Sequence, residues 1–209
     1  MKTLTPTVIQ EYDRQQPTEG ERATFGLGCF WGPDAAFGAI DSVIRTRVGY
    51  AGGTKPNPSY DVLGDHTEVI QIEYDPETVS FVTLLDEAFA HHNPFRQSKK
   101  RQYQNIIFST SDSQEQQLEQ YLTANGYEQE TIETRIESLT QFYLAEDYHQ
   151  KFNLRGKRWI TDVFKELGYD SSDIRESPAA AKLNAYVAGH NVSVSFLDQP
   201  QERYSDSSR

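Results

Sequence analysis

Cysteine and methionine are almost missing from this chain: one of each, Cys29 and Met1, in 209 residues. A single cysteine excludes an internal disulfide, so nothing argues for a secreted fold stapled by cross-links. It also means that if Cys29 is oxidised, no second thiol in the chain can condense with it. Positive charge is scarce as well, with 20 Lys and Arg against 31 Asp and Glu and a formal charge of −11. Phosphate binding needs clustered positive charge, so a general nucleic-acid binder is not expected. An acidic balance of this size speaks mainly to solubility. No apolar run approaches the length that spans a bilayer, so no membrane partner is expected. Residues 1–21 are polar, carry acids and lack an apolar core, so a secretory signal is not expected and the cytoplasm is the expected location.

What is present centres on Gly28-Cys29-Phe30-Trp31-Gly32. Residues 23–27 are a short apolar segment that reads as a strand, and residues 34–40 read as a short helix entered through Pro33. Proline suits the first helical positions, where its missing N–H has no partner anyway. Gly28 and Gly32 allow a sharp turn between the two elements. Cys29 is therefore expected at a strand-to-helix turn, near the positive end of a helix dipole. Such a position is expected to lower the thiol pKa and supply a nucleophilic thiolate. The alternative is a small buried hydrophobe, the usual fate of a free cysteine. The flanking glycines and paired aromatics favour chemistry.

The rest of the chain alternates strands and helices without an unbroken βαβ repeat. Residues 1–22 show little periodicity and are expected to form a loosely packed arm. Residues 23–170 are expected to form one catalytic domain, and residues 171–209 a tail with one short helix at 178–187. Alternation predicts strands at 42–50, 67–74 and 131–139, and Ile106-Ile107-Phe108 is a buried-strand candidate. Helical spacing predicts helices at 81–91, 114–124, 145–154 and 158–167. Between them lie a Gly/Pro-rich loop at 49–60 and an irregular basic stretch at 96–101, read as a solvated face. The expected class is α+β, a small mixed sheet flanked by helices.

Three features could meet Cys29 from the ends of candidate strands: Tyr60, Glu68 and Tyr103. A thiolate, a carboxyl able to hold a proton and two phenols form a usable chemical set. The carboxyl serves as an acid near neutral pH only if burial raises its pKa. Other readings stay open on the residues alone. Cys29 paired with His66, His91, His92 or His149 makes a cysteine hydrolase. A module that binds oxidised methionine without reducing it is a second alternative. A metal site from His66, Glu68, His91 and His92 is a third, although no pair has a helical i, i+4 or Cys-x-x-Cys signature, so no metal ligand is assigned.

Together the segments around Cys29, Gly49-Tyr50-Ala51-Gly52-Gly53, Asn57-Pro58-Ser59-Tyr60, His66-Thr67-Glu68, Gln102-Tyr103 and Ala145-Glu146-Asp147-Tyr148-His149-Gln150 resemble the peptide-methionine sulfoxide reductase A family. The resemblance covers roughly residues 24–152. It implies an α/β two-layer sandwich with long coiled segments, reducing the S-epimer of methionine sulfoxide, free or in oxidised proteins. Carried over, Cys29 resembles the nucleophile and Glu68 the acid that protonates the sulfoxide oxygen. Tyr60 and Tyr103 resemble its hydrogen-bond donors, and Phe30 and Trp31 the wall for the substrate methyl group. No bound cofactor is implied. The partner is an external thiol reductant such as thioredoxin, and a monomer is expected. Two features depart from the family. Ser98 stands where a gapless register places the usual loop aspartate, and the C-terminal resolving cysteines of many relatives are missing. Asp147 and His149 are read as structural.

Overall fold

The computed structural model describes residues 4–128, 130–194 and 196. Its centre is a six-stranded sheet in the order β5-β4-β1-β3-β2-β6. The strands are β1 (Glu21–Leu27), β2 (Val43–Ala51), β3 (Thr67–Tyr74), β4 (Asn105–Ser109), β5 (Arg135–Ser138) and β6 (Phe142–Leu144). β4 and β5 run parallel and the other neighbours antiparallel, so the sheet is mixed, as the α+β reading expects. The two central strands β1 and β3 are buried along most of their length, and β3 keeps its alternation even so, because Thr67, Glu68, Gln71 and Glu73 are themselves buried.

Helices pack on this sheet in two groups. α2 (Trp31–Ala39), α3 (Phe81–Ala90) and α4 (Asp112–Ala124) join a main core with Phe25, Phe37, Ile70, Leu84 and Leu118. α1 (Pro6–Gln15), α5 (Phe152–Arg155), α6 (Arg158–Glu166) and α8 (Pro178–Val187) gather around a second cluster that includes Ile9, Leu154, Ile160, Phe164 and Leu183. The N-terminal stretch, read as a loose arm, therefore contains a helix with Ile9 fully buried. Its start is chemically ordinary: the Thr5 side chain accepts from the Val8 N–H, and Pro6 occupies the first turn. The stretch read as one helix over 145–154 is helical only at α5, because Lys151 takes a left-handed φ of 52° just ahead of it.

The second cluster reaches the first through buried polar groups. Asp34, one turn into α2, accepts from Thr46 Oγ1 at 2.5 Å and from Lys151 Nζ at 3.3 Å. The Asn184 amide of α8 donates to the same carboxylate at 3.2 Å, and its oxygen accepts from the Leu154 N–H. Lys151 also donates to the Thr46 carbonyl at 2.6 Å. Asp34, Lys151 and Asn184 are all buried, and buried charges persist only when paired and hydrogen-bonded in this way. Lys182 Nζ donates to the Ile40 carbonyl beyond the end of α2. α8 also runs close against α2: a Cβ at Gly38 would stand 2.8 Å from the Ala181 carbonyl oxygen. A third tie is α7 (Ser171–Glu176), where Glu176 pairs with Arg47 on β2, which also reaches Glu73 at 2.8 Å. These contacts fix α2, and so the turn that precedes it.

Candidate active site

β1 ends at Leu27, and the chain turns through Gly28 at φ 78°, a left-handed conformation that favours glycine. Cys29 follows, and α2 begins at Trp31. The helix starts three residues before the reading from sequence, because Pro33 occupies its third position, where an N–H would still lack a partner. No side chain caps this end. Its free amides point instead at Glu68 and Cys29. The Phe30 N–H donates to Glu68 Oε2 at 3.2 Å, and the Trp31 N–H serves the Cys29 sulfur.

Glu68 sits near the start of β3, opposite Tyr50 of β2, and is 1 % exposed. Its second oxygen accepts from Gln102 Nε2 at 2.6 Å. Burial raises its pKa and outweighs these two donors, which pull it down. This is the shift that the acid role needs. The Cys29 thiol departs from expectation. The residue is exposed, yet the protein crowds round its sulfur, and that burial pushes the pKa up. The Trp31 N–H opposes the rise and the Glu68 charge adds to it. A helix N-terminus alone therefore does not make this thiol acidic. The two acids are coupled: a proton on Glu68 removes the charge that holds the thiol protonated.

Tyr103 closes a short 3-10 turn, Arg101–Tyr103, that carries Gln102 toward Glu68. Its phenol is pushed up to about 12, by burial and then by the Tyr60 hydroxyl beside it. It remains a donor at any working pH. Tyr60 lies at the far end of the long loop and is 37 % exposed. Its N–H donates to Glu146 Oε1 at 2.9 Å, and Glu146 Oε2 accepts from Tyr50 at 2.7 Å. The loop between β2 and β3 is pinned at its base. His66 spans it, with Nε2 to the Lys55 carbonyl at 2.7 Å and Nδ1 to the Gly53 N–H at 3.2 Å. Asp65 accepts from the Thr54 and Lys55 amides, which hold its carboxyl down at about 2.

Phe30 is buried and its ring lies 6.4 Å from the Trp31 ring. Trp31 stacks flat on Phe152, with centroids 3.7 Å apart and planes within 6°. His149 was read as structural, but it borders this wall. Its ring lies 5.2 Å from Phe30, 5.8 Å from Trp31 and 4.7 Å from Tyr60. Neither ring nitrogen has a hydrogen-bond partner among the described residues, and burial holds its pKa down. The only sequence signal for it was its place beside Tyr148 in a motif already noted. The neighbouring Gln150 is structural: its amide bonds the Val48 N–H and carbonyl at the edge of β2.

Ser98, in the aspartate register, does not reach Glu68. Its hydroxyl accepts from the Lys100 N–H at 3.2 Å, inside the loop. Gln97 holds that loop instead, donating to the carbonyls of Asn105 and Glu133 and accepting from the Asn105 N–H. Gln102 is the side chain that orders Glu68.

The histidine-paired hydrolase fails on geometry. His66, His91 and His92 are committed to backbone oxygens elsewhere, and His149 makes no bond to the thiol. Among the described residues, no three His, Cys, Asp or Glu side chains gather as a metal site would require. The Glu68 carboxyl, raised in pKa, and the Tyr103 phenol stand close enough to Cys29 for their charges to act on one another, and the Tyr60 hydroxyl lies beside Tyr103. A thiol beside a buried carboxyl of raised pKa, with no histidine bonded to it, sets this site apart from a histidine-activated cysteine hydrolase.

Comparison with known proteins points the same way. The family model described as "Peptide methionine sulfoxide reductase" matches residues 21–172, and the chain belongs to that family. A peptide methionine sulfoxide reductase of Drosophila melanogaster is 42% identical over 171 residues, covering 80% of this chain and 68% of its own. One from the archaeon Methanothermobacter thermautotrophicus is 40% identical over 144 residues, covering 63% of this chain and 85% of its own. Among solved structures, methionine sulfoxide reductase A of Corynebacterium diphtheriae superimposes with a TM-score of 0.57 at 32% identity, covering 68% of this chain and 77% of its own.

Proposed function

We propose that this protein, an oxidoreductase that reduces methionine sulfoxide to methionine, acts on the S-epimer through Cys29, with Glu68 as the acid. The observation that carries the reading is the placement of Glu68. Its carboxyl is buried, raised in pKa, and tied by the Phe30 N–H to the turn that carries the thiol.

The sulfoxide enters with its methyl group against Phe30 and Trp31 and its oxygen toward Glu68, Tyr60 and Tyr103. The Cys29 thiolate attacks the sulfur while Glu68 delivers a proton to the oxygen and the phenols hydrogen-bond it. Developing negative charge on that oxygen is what such donors stabilise. The hydroxyl passes to the Cys29 sulfur as the thioether leaves. The products are methionine and Cys29 sulfenic acid, a reversible rung of thiol oxidation. The proton that the thiol gave up restores Glu68, so no net proton is consumed in this half.

Regeneration needs two equivalents of an external thiol, because the chain holds no other cysteine. The first condenses with the sulfenic acid, releasing water and leaving a mixed disulfide at Cys29. The second attacks that disulfide, frees Cys29 and departs as the oxidised pair. A thioredoxin-like protein or a small thiol fits this role. Oxidised proteins and free methionine sulfoxide both carry the reacting group. The division proposed is a catalytic body at 23–170, with residues 1–22 and 171–209 as flanking segments, and the acting unit is a monomer in the cytoplasm. Among the described residues, no helix is long and apolar enough to cross a membrane.

The test offers each sulfoxide epimer separately, in excess thiol. Turnover of the S-epimer with little action on the R-epimer is expected. Equal turnover of both, or none of the S-epimer, would reject the assignment.

A further inference from the structure

The aromatic wall continues outward past Trp31. Phe152, stacked on the indole, is itself 43 % exposed, and Tyr148, whose ring lies 4.1 Å from His149, is 56 % exposed. These two rings and Val187, the last residue of α8, line a groove of about 480 Å³. Two cations border it, Arg155 and Lys157. Arg155 donates through Nε to the Gln150 carbonyl at 2.7 Å, but its Nη2 is buried without a partner among the described residues. Asp147 is the nearby acid whose charge acts on Arg155, and its contact is with Arg175 at 3.9 Å. Among the described residues, neither Arg155 nor Lys157 is in an ion pair.

We propose that this groove receives the polypeptide flanking an oxidised methionine, and that it selects an apolar residue accompanied by an aspartate or glutamate. The inference rests on the reading that the sulfoxide reacts at Cys29. Continuity carries the choice of occupant. The Trp31 ring that walls the sulfoxide shares a face with Phe152, so a chain leaving the site crosses directly onto the groove. Charge complementarity adds the acid: Arg155 and Lys157 line the groove with no ion-pair partner among the described residues, so a carboxylate there meets two cations in a protein whose net charge of −11 would otherwise repel it. Val187 lies outside the residues matched by the family model, so α8 contributes a wall that the matched region does not contain.

The experiment uses the full chain, dithiothreitol as an uncharged reductant, and S-sulfoxide peptides that differ only in flanking residues. With leucine and glutamate beside the sulfoxide, kcat/KM is expected to exceed that with leucine and lysine by about threefold, the scale of an exposed charge pair. The preference should shrink in high salt, where the Debye length falls to about 3 Å. Lys157→Gln is expected to bring the ratio toward one, and Lys157→Glu to invert it. Lys157 is an exposed loop residue, so neither change threatens folding. A wild-type ratio of one, or a ratio unmoved in Lys157→Glu, overturns the proposal. A raised KM for thioredoxin in Lys157→Glu, with the peptide ratio unmoved, also overturns it and gives the groove to the reductant. Failure of the wild-type protein on every S-sulfoxide peptide, by contrast, strikes at the Cys29 reading itself.

Discussion

Replacing Glu68 by glutamine keeps the side-chain volume and its acceptor for the Phe30 N–H, and removes only the proton and the charge. The Gln102 amide can turn over to keep a partner, so the fold of the turn should survive. Positioned acid catalysis is worth roughly a hundred- to ten-thousandfold, which is about 2.7–5.5 kcal/mol of barrier. Tyr60 and Tyr103 still donate, so the fall is expected toward the lower end of that range. The assay is single turnover of an S-sulfoxide peptide without thiol, quenched and separated chromatographically. A second reading has the opposite sign. The Glu68 charge raises the Cys29 pKa, so its removal should lower that pKa and speed alkylation of Cys29 by iodoacetamide at neutral pH. The pH profile follows from the same coupling. With both groups shifted up, the productive form carries one proton, on Glu68, and the second-order rate should rise through the carboxyl's titration and fall through the thiol's. The glutamine variant should lose the falling limb. Reduction within threefold of the parent, or reduction and alkylation falling together, would refute the acid role.

Three further outcomes are expected. Trp31→Ala should raise KM for sulfoxide peptides roughly tenfold with a smaller change in kcat, since a wall contact acts on ground and transition states alike; an effect on urea stability alone would return Trp31 to the core. Lys151→Ala leaves Asp34 buried and charged without its cation, which costs about 3–5 kcal/mol; a urea midpoint close to the parent's would show the pair to be dispensable. Gly38→Ala should destabilise despite alanine's better helix propensity, because the added Cβ meets the Ala181 carbonyl oxygen at 2.8 Å; a raised urea midpoint would contradict the close packing of α2 on α8.

The turn at Cys29 was legible because its signals are local: an apolar segment, a glycine, then a helix start. The set Cys29, Glu68, Tyr60 and Tyr103 was legible only through motif resemblance, since these residues come from four elements and nothing in their spacing says that they meet. The thiol pKa is hidden from the sequence for the same reason. The helix terminus is visible in sequence, but the burial and the Glu68 charge that outweigh it are tertiary. α1 carries its own signal in Thr5-Pro6, a cap followed by a first-turn proline, but the residues after it show little periodicity. β6 is three residues long and exists by pairing with β2, which no local pattern announces. The burial of α8 was hidden by Lys182 and Asn184, polar residues that point at α2 rather than at solvent.

The central claim is that oxygen leaves the substrate for Cys29, the only thiol available. It is tested most directly by giving the reduced protein excess S-sulfoxide peptide and no reductant, then measuring methionine formed and intact mass on the same sample. One equivalent of methionine is expected, with a mass increase of one oxygen that maps to the peptide containing Cys29 and is trapped by a dimedone-type reagent. Repeated turnover without thiol, or one equivalent formed while Cys29 remains unoxidised, would contradict the account.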